Sequence, residues 1–148
     1  MQGKQGLLSG LSMKQVLFVC VENSCRSQMA EAYGHLYRQQ NPQENISVFS
    51  AGSNPSGKVN PRAIEVMAEL DYDLNNHQSK ALTDVPDADY AAVITMGCGD
   101  NCAEVRATIR EDWPLPDPKH MPMEEFRLVR DEVGQRVEGL LARLAKAG

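Results

Sequence analysis

The 148-residue sequence contains no apolar stretch near the ~20 residues that a bilayer-spanning helix requires, so nothing in it reads as a membrane segment. It also has no surplus of positive charge. Fifteen Lys and Arg against twenty Asp and Glu leave a net charge of −5, which argues against a nucleic-acid binder. An anion bound by such a chain has to be held by local donors rather than by the field of the whole protein. In the first twelve residues Leu7, Leu8 and Leu11 are too few for a secretory core. Residues 1–12 therefore read as an alternative start or flexible leader ahead of a single domain over 13–148. With no secretion signal the expected location is the reducing cytoplasm. There the four cysteines of the chain are expected to be catalytic or metal-binding rather than structural disulfides. Histidine is scarce and scattered (His35, His77, His120), so a metal site has little to build on. No internal repeat and no second domain are visible.

What is present is ordinary for one globular domain: 42% hydrophobic and 24% charged residues, over a length that can bury a sizeable core. The most informative stretch runs from Val16 to Ser27. Val16-Leu17-Phe18-Val19 is apolar without alternation, as a strand buried on both faces of a parallel sheet must be. It runs into Cys20, then a short loop, then Arg26-Ser27 and a helical pattern. At such a junction the N–H groups of Val21, Glu22, Asn23, Ser24 and Cys25 can turn inward as an anion nest, reinforced by the helix N-terminus. Arg26 adds a fork that matches two oxygens of a tetrahedral anion. Cys20, at the floor of that cup, is expected to carry a thiolate and act as nucleophile. The plainer reading, a buried structural cysteine at a strand end, loses to the Cys-x5-Arg-Ser spacing at a strand-to-helix junction.

The remainder alternates strands and helices. Met29, Tyr33, Leu36 and Tyr37 mark a helix ending near Asn41-Pro42, and Ile46, Val48 and Phe49 mark a strand closing at Ser50-Ala51-Gly52. Residues 53–60 are a loop, Asn60 a cap and Pro61 a first-turn proline, with Ile64, Met67 and Ala68 as the inner stripe of the helix that follows. The stretch from Tyr72 to Ser79 is polar and irregular. Tyr90 to Thr95 reads as a central parallel strand, Thr108 to Trp113 as a weakly signalled last one, and proline-rich 114–122 as a loop. From Met123 onward Phe126, Val129, Val133, Val137, Leu140, Leu141 and Leu144 trace a long amphipathic helix. The expected fold is a three-layer α/β domain: a central four-stranded parallel sheet flanked by helices.

Cys98 and Cys102 follow the Tyr90–Thr95 run, which is expected beside the Cys20 strand, where ligands of open parallel sheets bind. Glycines 97 and 99 flank Cys98 and ease its movement. A redox relay, a metal site and idle thiols all remain open for this pair, the relay being the favoured reading.

The Cys20 loop resembles that of low-molecular-weight protein tyrosine phosphatases. Within that family, Asn23-Ser24-Cys25-Arg26-Ser27-Gln28-Met29-Ala30-Glu31 is similar to the arsenate reductases built on the same fold; the phosphatases usually carry proline where Gln28 stands. The resemblance continues through Ser50-Ala51-Gly52, Val59-Asn60-Pro61-Arg62-Ala63, Asn76-His77, Glu111-Asp112-Trp113, Asp117-Pro118 and the stretch from Phe126 to Glu132. It implies a cytoplasmic detoxifying enzyme of arsenical resistance that reduces arsenate to arsenite. Cys20 would attack arsenic, Cys98 would displace arsenite as a Cys20–Cys98 disulfide forms, and Cys102 would take the disulfide over. Thioredoxin would then reduce it, with glutaredoxin or a low-molecular-weight thiol as alternative donors.

The resemblance also gives Asp117 the role of general acid, and the hydroxyl of Ser27 is placed to donate to the Cys20 sulfur. Asn23 pins the loop by side-chain hydrogen bonds, and Cys25 is expected to be a packed thiol. Some members bind potassium through positions matching Asn23, Glu31, Ser50 and an aspartate. Lys80 stands at that last position, so its ammonium is expected to pair with Glu31 in place of potassium, with no cofactor and no metal. A tyrosine phosphatase is the alternative enzyme, and weak phosphatase activity is expected in either case. A thiol-based oxyanion or metal sensor is the non-enzymatic alternative.

Overall fold

A computed structural model describes residues 13–97 and 105–147. The residues before 13, the segment 98–104 with both Cys98 and Cys102, and Gly148 lie outside the described residues.

Four strands, β1 (Lys14–Cys20), β2 (Ile46–Gly52), β3 (Tyr90–Thr95) and β4 (Ala107–Asp112), form one parallel sheet in the order β2-β1-β3-β4. The apolar run of β1 is explained by its central place. Val16, Phe18 and Cys20 face one core cluster while Leu17 and Val19 face the other, and all are nearly inaccessible to solvent. Cys20 leaves the sheet opposite Gly52 at the carboxyl ends of the strands, and the strand order changes direction at β1. The topology therefore puts its crevice where the cysteine is. The weakly signalled last strand exists and runs one residue earlier than its sequence pattern suggests.

Three α-helices pack on the Phe18 face: α1 (Arg26–Gln40), α2 (Pro61–Ala68) and α3 (Met123–Ala147). Asn60 Oδ1 accepts from the Arg62 N–H at 2.8 Å ahead of Pro61, so the expected cap is present. The inner stripe of α2 is a correction. Ala63, Val66 and Met67 are buried, Ile64 only partly so, and Ala68 is exposed, because α2 packs along its contact with α3 rather than on the sheet. All seven apolar positions expected along α3 are buried, from Phe126 to Leu144. The polar stretch after Tyr72 tucks Leu74 fully into the core through a short 3-10 turn, Leu74–Asn76. On the opposite face, among the described residues, Leu82, Val85, Ala88 and Val105 cover Leu17, Val19, Tyr90 and Val93; that layer is a 3-10 turn and extended chain rather than an α-helix.

Leu141 is fully buried where α3 meets the core. Leu141→Ala is expected to cost about 2–5 kcal/mol, read as a lowered urea midpoint with an unchanged slope.

Candidate active site: an anion cup around Cys20

Cys20 is 2% exposed and sits at the floor of a cavity of about 160 Å³. Residues 21–25 form the wall, and α1 begins at Arg26 with no acidic residue in its first turn, so its positive end is not neutralised from within the helix. The loop's carbonyls are drawn outward. Cys20 O accepts from Ser53 N at 3.2 Å, Val21 O from Asn54 N at 2.8 Å, and Glu22 O from Ser56 N at 3.1 Å. Asn23 O accepts from Gln28 Nε2 at 3.1 Å, and Ser24 O from Asn60 N at 3.0 Å. Across a planar trans peptide the next residue's N–H points the other way, so the amides of residues 21–25 are turned toward the cup. A Cβ on Gly52 would lie 2.6 Å from Val21 O and 2.9 Å from Asn23 N, which is why β2 closes with glycine beneath the loop.

Asn23 is fully buried in the left-handed region, with φ of 51°. Its side chain is bonded at both ends. Nδ2 donates to Ser27 Oγ at 2.7 Å and to Ser50 Oγ at 3.1 Å, while Oδ1 accepts from Gln28 Nε2 at 2.9 Å and Lys80 N at 2.7 Å. Ser50 Oγ in turn donates to Glu31 Oε1 at 2.5 Å. Ser27 Oγ, already accepting from Asn23, has its proton free for the Cys20 sulfur 2.9 Å away. The chain Glu31–Ser50–Asn23–Ser27–Cys20 thus aims a hydroxyl proton at the sulfur. Ser27 does this from the second position of α1; the helix cap position is Cys25.

Arg26 is buried beside the cup. Nη1 donates to Leu115 O at 3.1 Å, and Nη2 lies 3.8 Å from the Asp117 carboxylate. Its Nε–H is buried with no protein partner. A buried orphan donor costs about 1–3 kcal/mol, and an oxyanion oxygen would satisfy this one. Asp117 lines the cavity on a loop held at three points: Leu115 O to Arg26, Lys119 Nζ to Glu22 at 3.0 Å, and Met121 O to Arg62. Glu22 lies at the rim, its charge countered by Lys119. Cys25 also lines the cup; burial above all, then the nearby Asp117 and Cys20, pushes its thiol up to about 12, so it remains protonated.

Behind the loop, Lys80 Nζ is 3.5 Å from Glu31. Burial alone would raise the Glu31 carboxyl, but hydrogen bonds from His35 and Ser50 and the charges of Lys80 and His77 outweigh it and hold it at about 2. Donor atoms of Glu31, His35 and His77 lie within 4.8 Å of one another. Both nitrogens of His77 are already used, however, by Gln28 Oε1 at 2.9 Å and the Tyr72 hydroxyl at 2.6 Å. Burial pushes His77 below its ordinary pKa, against the opposing pull of the Glu31 charge. The cluster reads as an internal ion-pair network rather than a metal centre.

The structure therefore gathers Cys20, residues 21–25, Arg26 and Asp117 around the cup, with Ser27, Ser50, Glu31 and Lys80 behind it; Cys98 and Cys102 lie outside the described residues. Gln28, His77 and Lys119 were missed as site residues. Gln28 Nε2 lies within hydrogen-bond distance of Asn23 O, Asn23 Oδ1 and Gln78 O; the signal in the sequence was an amide side chain where the phosphatase resemblance would put proline. Gly97, the last described residue before Cys98, has φ of 88°, and its ideal Cβ would lie 3.0 Å from Arg26 Nη1.

The family model described as low molecular weight phosphotyrosine protein phosphatase matches residues 15–148. The chain is 40% identical over 136 residues to a protein of Synechocystis sp. named glutaredoxin arsenate reductase, covering 90% of this chain and 100% of that one. A solved structure described as an arsenate reductase in the phosphate binding state is similar with a TM-score of 0.78 at 40% identity, covering 88% of this chain and 98% of the other. A thioredoxin-dependent arsenate reductase from Corynebacterium glutamicum is similar with a TM-score of 0.73 at 27% identity, over 99% of this chain and 70% of that one.

Asn23→Ala leaves several buried groups unpaired at about 1–3 kcal/mol each. Phosphate affinity, measured by titration calorimetry, is expected to fall tenfold or more. Glu31 carries a depressed pKa in the folded state, so its contribution to stability is complete above about 4.5 and is lost as pH falls toward about 2. The urea-midpoint gap between the parent and Glu31→Gln is expected to be widest above pH 4.5 and to close below it.

Proposed function

The chain belongs to the low-molecular-weight phosphotyrosine protein phosphatase family, and from that membership and its anion cup we propose that it is an arsenate reductase. The observation that carries the redox reading is the place of Gly97. Its ideal Cβ would lie 3.0 Å from Arg26 Nη1, beyond the carboxyl end of β3, and the sequence runs on from it into the segment that holds Cys98.

Arsenate binds with its oxygens on the loop amides and the Arg26 guanidinium, whose free Nε–H gains a partner. The α1 N-terminus, Arg26 and the Ser27 hydroxyl all stabilise negative charge on the Cys20 sulfur. The thiolate attacks arsenic, and one arsenic–oxygen bond breaks as Asp117 supplies the proton that lets the oxygen leave as water. The product is an arsenic(V)–sulfur adduct on Cys20. The Cys98 thiolate then attacks the Cys20 sulfur. A sulfur–sulfur bond forms, the sulfur–arsenic bond breaks, and its electron pair stays on arsenic, which departs as arsenite. Two thiols have become one disulfide and arsenic has gained two electrons. Cys102 attacks Cys98, returns Cys20 as thiolate, and leaves a Cys98–Cys102 disulfide for a dithiol reductant.

Thioredoxin is the proposed donor, because a resolving pair within the chain leaves a protein disulfide for it to open; glutaredoxin or a small thiol is the alternative. Lys80 takes the place of a bound potassium ion beside Glu31, and no metal or cofactor enters the reaction. The reducing cytoplasm is the proposed location; no helix among the described residues is long and apolar enough to cross a membrane. The same cup admits phosphate, so slow phosphatase activity accompanies the reductase.

The test is arsenate-dependent NADPH consumption with thioredoxin and its reductase. Cys20→Ser is expected to abolish it, and Asp117→Asn to slow it by roughly 10²–10⁴. Cys98→Ser and Cys102→Ser are each expected to stop multiple turnover while the first step at Cys20 survives. If both resolving-cysteine variants kept full turnover on aryl phosphates and the parent consumed no NADPH with arsenate, the chain would be a phosphatase. Arsenite binding without turnover under any reductant would make it a sensor.

A further inference from the structure

Lys119 and Glu22 stand outside the steps above, yet they meet at the cup's rim. Lys119 Nζ bridges both oxygens of Glu22, at 3.1 and 3.0 Å. The partners are 97 residues apart in the chain. One belongs to the anion loop and the other to the loop that carries Asp117, so the pair ties the nucleophile's wall to the acid's wall. Glu22 and Asp117 both line the cavity, and Lys119 stands two residues beyond Asp117. The space behind the pair is small. Organic ligands occupy pockets of about 300–1,000 Å³, and this one, of about 160 Å³, has room for a tetrahedral oxyanion but not for the group an ester would carry.

We propose that the Lys119–Glu22 ion pair is a specificity gate that favours free tetrahedral oxyanions over phosphate esters. The inference rests on the reading of the cup as an anion site. A free oxyanion lies wholly behind the pair. An ester must thread its organic group between the two walls and separate the charges. Glu22 left alone would face the anion with a bare carboxylate, and Lys119 removes that repulsion while it closes the gap. The pair is partly open to water, with side chains 42% and 36% exposed, so its effect on selection is modest.

The experiment reads occupancy without turnover: protection of Cys20 from iodoacetate, followed at its own peptide by mass spectrometry, against inorganic phosphate and phenyl phosphate. The readout is the ratio of the two half-protecting concentrations. Lys119→Ala keeps the backbone N–H that Asp117 accepts from at 3.1 Å, so the acid loop retains its turn. In this variant the phenyl phosphate value is expected to improve about fivefold relative to phosphate, as loss of an exposed pair permits. The charge swap Glu22→Lys with Lys119→Glu is expected to restore the parent ratio. A Lys119→Ala ratio within twofold of the parent overturns the gate, and so does a swap that leaves it open. Failure of inorganic phosphate to protect Cys20 in the parent overturns the anion site and the gate with it.

Discussion

One side-chain amide holds the site together. Asn23 uses both of its Nδ2 protons and both acceptor positions of Oδ1 on four different partners, and it does so from a left-handed backbone conformation. Those bonds reach Ser27 in the first turn of α1, Ser50 in β2, Gln28 behind the loop and the backbone of Lys80. Elements far apart in the sequence are thereby locked to one five-residue loop. The left-handed conformation is unfavourable for a residue with a Cβ, and the four bonds are what sustain it. Aspartate in this place would keep the shape and lose the two donors, so the requirement is for the amide.

The electrostatic problem is that an acidic chain must attract an anion. It is solved locally, by a helix terminus without acidic neighbours, outward-drawn carbonyls and a buried guanidinium with one N–H unpaired. The acidic groups nearby are each countered. Glu31 is matched by Lys80, Glu22 by Lys119, and Asp117 lies 3.8 Å from Arg26. Cys25 contributes no charge because burial keeps it a thiol. Among these groups Asp117 has the longest ion-pair distance, 3.8 Å to Arg26.

The sheet brings the ends of its two central strands to one side of the molecule. Because β1 and β3 are parallel neighbours, the chain leaving each strand emerges at the same end, and Gly97 arrives against Arg26. A side chain at position 97 would press on the guanidinium, which glycine avoids. Among the described residues, the three α-helices sit on one face of the sheet.

Sequence alone determined what depends on neighbours in the chain: the buried run of β1, the cysteine at its end, the arginine and serine opening α1, the Asn60-Pro61 start of α2 and the apolar stripe of α3. These are legible because strand and helix periods and cap chemistry act over a few residues. Which apolar residues of α2 face inward was not legible, since its burial is set by α3 and not by its own period. Nor were the bonds of Gln28 to Gln78 and His77, the close approach of Gly52 to the Asn23 amide, or the meeting of Lys119 with Glu22. Each joins residues tens of positions apart, and a pair at that separation is brought together only when the whole sheet and its crossovers have closed. Tertiary structure alone decided the direction of every loop carbonyl, and with it the inward turn of the amides that make the cup.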